Sequence, residues 1–184
     1  MAVARAEPKK KLTEDEFMRL SHDGPKVELV DGEVIEVPTG GMHGDIAVSL
    51  ILLIGVIARA FGRVFDSGTG FRMASKNIRS PDVSFMRTER LPHGKPPEGF
   101  VDGAPDLCIE VISPSEERRE MFRKVSEYFD SGAQQVWHVF PEARRVVIYS
   151  LTDDIRLLGP DDELTAGDLI PGFSCRVSEI FPAA

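Results

Sequence analysis

The apolar positions fall mostly in short blocks, with two longer stretches of helical character. Residues 27–30 (VELV) and 33–37 (EVIEV) are two β-rich blocks. The Asp31-Gly32 pair between them is a strong hairpin signal, because the favoured two-residue turn needs positive φ at both positions. Further strands are predicted over 64–66, 71–73, 80–86, 107–112, 135–140 and 144–150, with a short one near Ile155. Thr13 and Glu16 have the spacing of a capping box and should open a short helix that ends near His22. A second box, Ser113-Pro114-Ser115-Glu116, should open a helix that Gly132 stops. Residues 43–61 are apolar on nearly every side of a helical wheel, which reads as a buried helix or one covered by a partner subunit. The prolines and glycines of 87–105 predict an irregular loop, and a short helix closes the chain near residues 177–180. Strand 107–112, helix 114–131 and strand 135–140 form a crossover unit, so the sheet must be partly parallel. The expected class is mixed α/β, a sheet flanked by helices, in one domain over 12–184 after a flexible basic tail at 1–11.

Composition narrows the picture. At 184 residues and 20.3 kDa, with 42% hydrophobic and 28% charged residues, the chain is neither disordered nor fibrous. Two cysteines, Cys108 and Cys175, are too few for a disulfide scaffold or a cysteine-rich zinc site. The tail lacks the apolar region of a secretory signal. The longest apolar run, 46–58, is shorter than the roughly 18–20 residues of a membrane span. No membrane association is therefore expected, and the cytoplasm is the expected location.

Three carboxylates interrupt apolar strands: Glu28, Asp82 and Glu110. A charge in a strand apolar on both faces is costly unless it is paired or metal-bound. Each one alone fits a solvent-facing group or a buried salt bridge. Together they suit magnesium or manganese, which take oxygen ligands from a few carboxylates and leave other positions to water.

The ordered text VELVDGE (27–33), RSPDV (79–83), EVISPS (110–115), Lys124 to Tyr128 and VWHV (136–139) resembles the PD-(D/E)XK nuclease superfamily. It is most similar to the Uma-type restriction endonuclease family, over roughly 12–182. That resemblance implies a restriction-endonuclease-like central mixed sheet flanked by helices, and metal-dependent hydrolysis of DNA. It implies Asp82 and Glu110 as ligands of Mg²⁺ or Mn²⁺, Glu28 as a further acidic group beside the metal, and Lys124 as the assisting lysine. The superfamily's usual lysine would stand at position 112, where this chain has Ile112. Lys124 flanks the apolar stripe of its helix and can send its ammonium toward the sheet, or simply pair with Glu120 or Glu127. His43 and Arg79 are candidate phosphate or water contacts, although a histidine at a helix start can also cap backbone groups. Trp137 and His138 read as core and edge residues.

Three functions follow: an active DNA endonuclease, a catalytically silent nuclease-fold module for binding or assembly, and a metal-dependent hydrolase of small phosphate esters. The net charge of −8 weighs against a nonspecific nucleic-acid coat. It is uneven, however. Residues 59–90 hold seven basic side chains against three acidic ones, while 151–184 hold two against seven. DNA is thus expected to bind weakly, on the 59–90 side, and a homodimer is expected through the apolar helix.

Overall fold

The computed structural model describes residues 11–20, 26–37, 40–114, 116–152 and 154–182. Most of the predicted basic tail, and His22 at the expected end of the first helix, lie outside the described residues. In chain order the elements begin with α1 (Glu14–Met18), β1 (Val27–Val30), β2 (Glu33–Glu36) and α2 (Gly41–Ala58). Then come β3 (Gly62–Asp66), β4 (Phe71–Arg72), β5 (Ile78–Arg79), β6 (Val83–Arg87), β7 (Val101–Asp102) and β8 (Leu107–Val111). The remainder is α3 (Arg118–Asp130), β9 (Gln135–Phe140), β10 (Arg145–Ser150), β11 (Arg156–Leu158), β12 (Glu163–Thr165) and β13 (Ser174–Arg176). A 3₁₀ turn over Val177–Ile180 follows, at the place predicted for the terminal helix.

The Asp31-Gly32 turn forms as its chemistry requires, with φ of 52° and 83° and Val30 opposite Glu33. The central sheet has the order β11-β10-β9-β8-β6-β3. Its β8–β9 pair is parallel, joined by the α3 crossover, and its other pairs are antiparallel. Alternation along these strands sends Val83, Phe85, Leu107, Ile109, Val111, Trp137 and Val139 to one face, in a core with Ile46, Leu50 and Ile54 of α2. Met86, Cys108 and Val136 go to the other face, with Val125 and Tyr128 of α3. A second sheet, β2-β1-β5-β4-β7, carries Leu29 and Ile78 against Phe17 of α1.

Several boundaries differ from the sequence expectation. The helix α3 starts at Arg118, with Glu117 as an N-cap that makes no side-chain cap bond, so it begins after the segment 113–116 expected to open it. Glu116 instead closes a turn onto the Ser113 carbonyl and sends its carboxylate toward Lys124. Gly132, at φ 104°, ends the helix as expected, since a left-handed residue there favours glycine. Gly62 is required for a different reason: a Cβ would lie 2.1 Å from the Met86 carbonyl oxygen. The loop predicted over 87–105 contains two 3₁₀ turns and β7, and the pair β12–β13 was not expected at all.

The helix α2 forms where expected, and within the chain only one of its faces is covered. It is 18 residues long, and by length and composition the whole helix could cross a membrane, while the apolar run 46–58 within it is shorter than a span. It is also not buried all round. Ile46, Leu50, Ile54 and Ala58 pack on the sheet, while Val48, Leu52 and Val56 face outward.

Candidate active site

Asp82 stands immediately before β6, after Pro81, as the sequence predicts for a strand entrance. The β6–β8 ladder pairs Val83 with Ile109, and the same register carried one residue further sets Asp82 beside Glu110. The parallel β8–β9 ladder pairs Glu110 with His138. Asp82, Glu110 and His138 thus form a row across three strands, on the face that α3 covers.

Each member of the row has a distinct environment. Lys26 Nζ donates to Asp82 Oδ1 at 2.9 Å, and His43 Nε2 lies 3.0 Å from the same oxygen. The Val111 N–H donates to Oδ2 at 2.8 Å. Burial works against the Asp82 carboxylate, but His43 and Lys26 outweigh it and hold its pKa well below the ordinary value. Glu110 accepts from the Tyr128 hydroxyl at Oε1 and from Lys124 Nζ at Oε2, the latter at 3.3 Å. Here burial dominates over the lysine, so the Glu110 pKa is raised. Neither ring nitrogen of His138 has a hydrogen-bond partner among the described residues. Burial and the nearby Lys124 charge lower its pKa to about 4, so the ring is neutral at pH 7.

Lys124 is buried, not on the exposed flank of α3. Besides Glu110, its ammonium lies 3.7 Å from Glu116 Oε1. Pairing with Glu120 or Glu127, the alternative open at the sequence level, does not occur. Desolvation alone would lower the Lys124 pKa; Glu110, Glu28 and Glu116 reverse the shift and raise it, so the group keeps its proton.

Glu28 reaches the same region from β1. Its Oε1 accepts the Ser80 N–H and its Oε2 accepts Arg79 Nη1, both at 2.9 Å. Burial raises its pKa, but Lys124, Arg79 and the Ser80 bond together carry it below the ordinary value.

Arg79 requires a correction. The expectation was a phosphate or water contact, yet the side chain is 1% exposed. Its three nitrogens are spent on Glu127 (2.7 Å), Glu28 (2.9 Å) and Glu120 (2.9 Å). It therefore ties β1 to α3 and lies buried away from any ligand at the surface. The basic excess of 59–90 is reduced in the same way: Arg72 pairs with Glu14 and Asp102, and Arg90 with Asp106.

Lys26 and Tyr128 are the site residues that sequence reasoning did not single out. Tyr128 lies on the apolar, sheet-facing side of α3, so its hydroxyl carries no separate signal in the sequence. Lys26 had a usable signal, since it stands two residues before Glu28 and so on the same side of an extended strand. Two grooves border the row's partners. One of about 690 Å³ is lined by His43, Ser113 and Glu116, and one of about 680 Å³ by Lys26, Ser80 and Phe100. Among the described residues no group of three or more His, Cys, Asp or Glu side chains is placed to hold a metal ion.

Comparison with known proteins agrees with this architecture. The chain is similar to the crystal structure of a protein described as a putative nuclease belonging to DUF820 from Anabaena variabilis. The TM-score is 0.81 at 22% identity, over 92% of this chain and 97% of that one, which establishes a common fold. No curated protein matches the chain. The sequence profile of the Uma2 family, described as "Putative restriction endonuclease", matches residues 14–178, and the chain belongs to that family.

Proposed function

We propose that this protein is a magnesium- or manganese-dependent endonuclease that hydrolyses phosphodiester bonds in DNA, with Asp82 and Glu110 holding the ion. The observation that carries the reading is the side-by-side register of Asp82 and Glu110 on one sheet face, with the Lys124 ammonium on Glu110. The donor set fits such an ion. Magnesium sites use one or two carboxylates together with water and substrate phosphate, so two suffice. A cation already stands at this place, since the Lys26 ammonium rests on Asp82 Oδ1.

When bound, a divalent ion acidifies water and offsets charge on a phosphoryl oxygen. The chain's own groups divide the rest. Lys124 holds its proton, so it stabilises negative charge and orients water; it does not act as a base. His43 and Lys26, the two side chains on Asp82 Oδ1, each line one of the two grooves and would be the groups a backbone phosphate meets there. Glu28, held by Arg79 and the Ser80 N–H, acts through its charge on the two lysines. DNA is the proposed partner, bound weakly and with strong salt dependence.

The test is nicking of supercoiled plasmid with Mg²⁺ or Mn²⁺ by wild type, Asp82→Ala, Glu110→Ala and Lys124→Ala. The reading expects metal-dependent nicking by wild type and a loss of at least about 100-fold in each variant. Equal nicking by all four proteins, or none by wild type, rejects it in favour of a silent binding module.

A further inference from the structure

The outward face of α2 is an apolar stripe with opposite charges at its two ends. Along this helix the exposed residues past its first turn are Asp45, Val48, Leu52 and Val56, and Arg59 follows at the C-cap. Val48, Leu52 and Val56 are 54%, 66% and 82% exposed, a stripe that no described residue covers. At 100° per residue all five lie within about 40° of Leu52 around the helix axis. Asp45 and Arg59 make no ion pair among the described residues.

The spacing is symmetric. Val48 and Val56 stand four residues either side of Leu52, and Asp45 and Arg59 seven residues either side. A two-fold axis through Leu52 that pairs two α2 helices antiparallel therefore sets Leu52 on Leu52 and Val48 on the partner's Val56. It also sets Asp45 on the partner's Arg59, and the same contact repeats at the other end. The groove beside the second half of α2, about 810 Å³, is lined by Leu52, Gly55, Val56, Arg59, Arg63 and Val64 among others. In this arrangement it receives the partner's Val48 and Asp45, so a carboxylate enters where two guanidinium groups wait.

We propose that the protein is an isologous homodimer through antiparallel α2 helices centred on Leu52. The opposite charges at equal distances select a second copy over a bilayer, which would favour basic groups along both edges of the apolar stripe.

Sedimentation of the full chain tests this independently of any nuclease activity. Wild type is expected at twice the 20.3 kDa chain mass at micromolar concentration. Leu52→Glu, at an exposed position that leaves the core intact, is expected to be monomeric and still folded, with a cooperative melt that no longer depends on protein concentration. Asp45→Arg and Arg59→Asp should each weaken the dimer by about tenfold or more, and the two together should restore it, because reversed charges again meet across the axis. Leu52→Cys should form an interchain disulfide on mild oxidation, with Cys108 and Cys175 buried and silent. A monomeric wild type, a dimer that survives Leu52→Glu, or a double reversal that fails to recover association would overturn the proposal. So would a monomeric wild type that floats with phosphatidylcholine vesicles, which would assign the face to a bilayer.

Discussion

Lys26 and Asp82, 56 residues apart in sequence, meet at 2.9 Å between Nζ and Oδ1. The ammonium thus rests on an oxygen of the carboxylate proposed to hold a metal ion. A built-in cation offsets the buried carboxylate in the metal-free protein, and under the proposed function it would compete with the ion.

Replacing Lys26 by methionine separates those two effects. Removing the competing charge should raise Mg²⁺ or Mn²⁺ affinity, on the order of tenfold. The same change leaves Asp82 with one charge-assisted partner fewer and should cost about 1–3 kcal/mol of metal-free stability. Calorimetric metal titration and urea denaturation read the two quantities, and unchanged affinity would remove Lys26 from the competition.

Arg79→Met should be among the most destabilising single changes in the chain. It leaves buried Glu28 and Glu127 without their guanidinium, and breaking such a buried pair costs about 3–5 kcal/mol. Arg79→Lys should recover little, because one ammonium cannot present three nitrogens to carboxylates from three directions. Urea midpoints for the two variants check this, and a midpoint near wild type would mean the network contributes little.

The pH dependence follows from groups with depressed pKa values. His138 is held near 4 by burial and by Lys124, against an ordinary value of 6.5. Its contribution is fully present above 6.5 and is lost as the pH falls toward 4, because the unfolded chain takes up the proton first. Asp82 is also depressed and adds a further loss as the pH falls below the ordinary carboxylate value. Thermal scans of metal-free protein should show the melting temperature falling over this range. His138→Leu should abolish the upper part of the fall, which is worth on the order of 3 kcal/mol. A wild-type profile flat between pH 6.5 and 4 would contradict the neutral buried ring.

Gly62→Ala tests the close approach of β3 and β6. The added methyl would meet the Met86 carbonyl oxygen, a backbone atom with little freedom to withdraw. A loss of about 1–3 kcal/mol or more is expected, in contrast to an exposed glycine such as Gly44, which has nothing within 4 Å. Equal melting temperatures for the two alanine variants would show that the ladder relaxes.

Local chemistry in the chain was enough to determine the backbone of the site. Asp31-Gly32 determined a hairpin, Gly132 a helix stop, and the apolar run around Glu110 a central strand. The proline before Asp82 placed that carboxylate at a strand entrance. These features act within a few residues, so their signals survive in the sequence.

Only the tertiary structure decided the partners. Whether Lys124 would meet Glu120 and Glu127 or Glu110 depended on the side of α3 that packs on the sheet. Whether Arg79 would face a ligand or three internal carboxylates depended on β5 lying beside β1 and against α3. Whether α2 would be buried all round depended on how much of its surface one sheet can cover. Each outcome joins residues from elements far apart in the chain. Pairing at that range is set by strand order and by the desolvation of charges between packed layers, neither of which leaves a local pattern in the sequence.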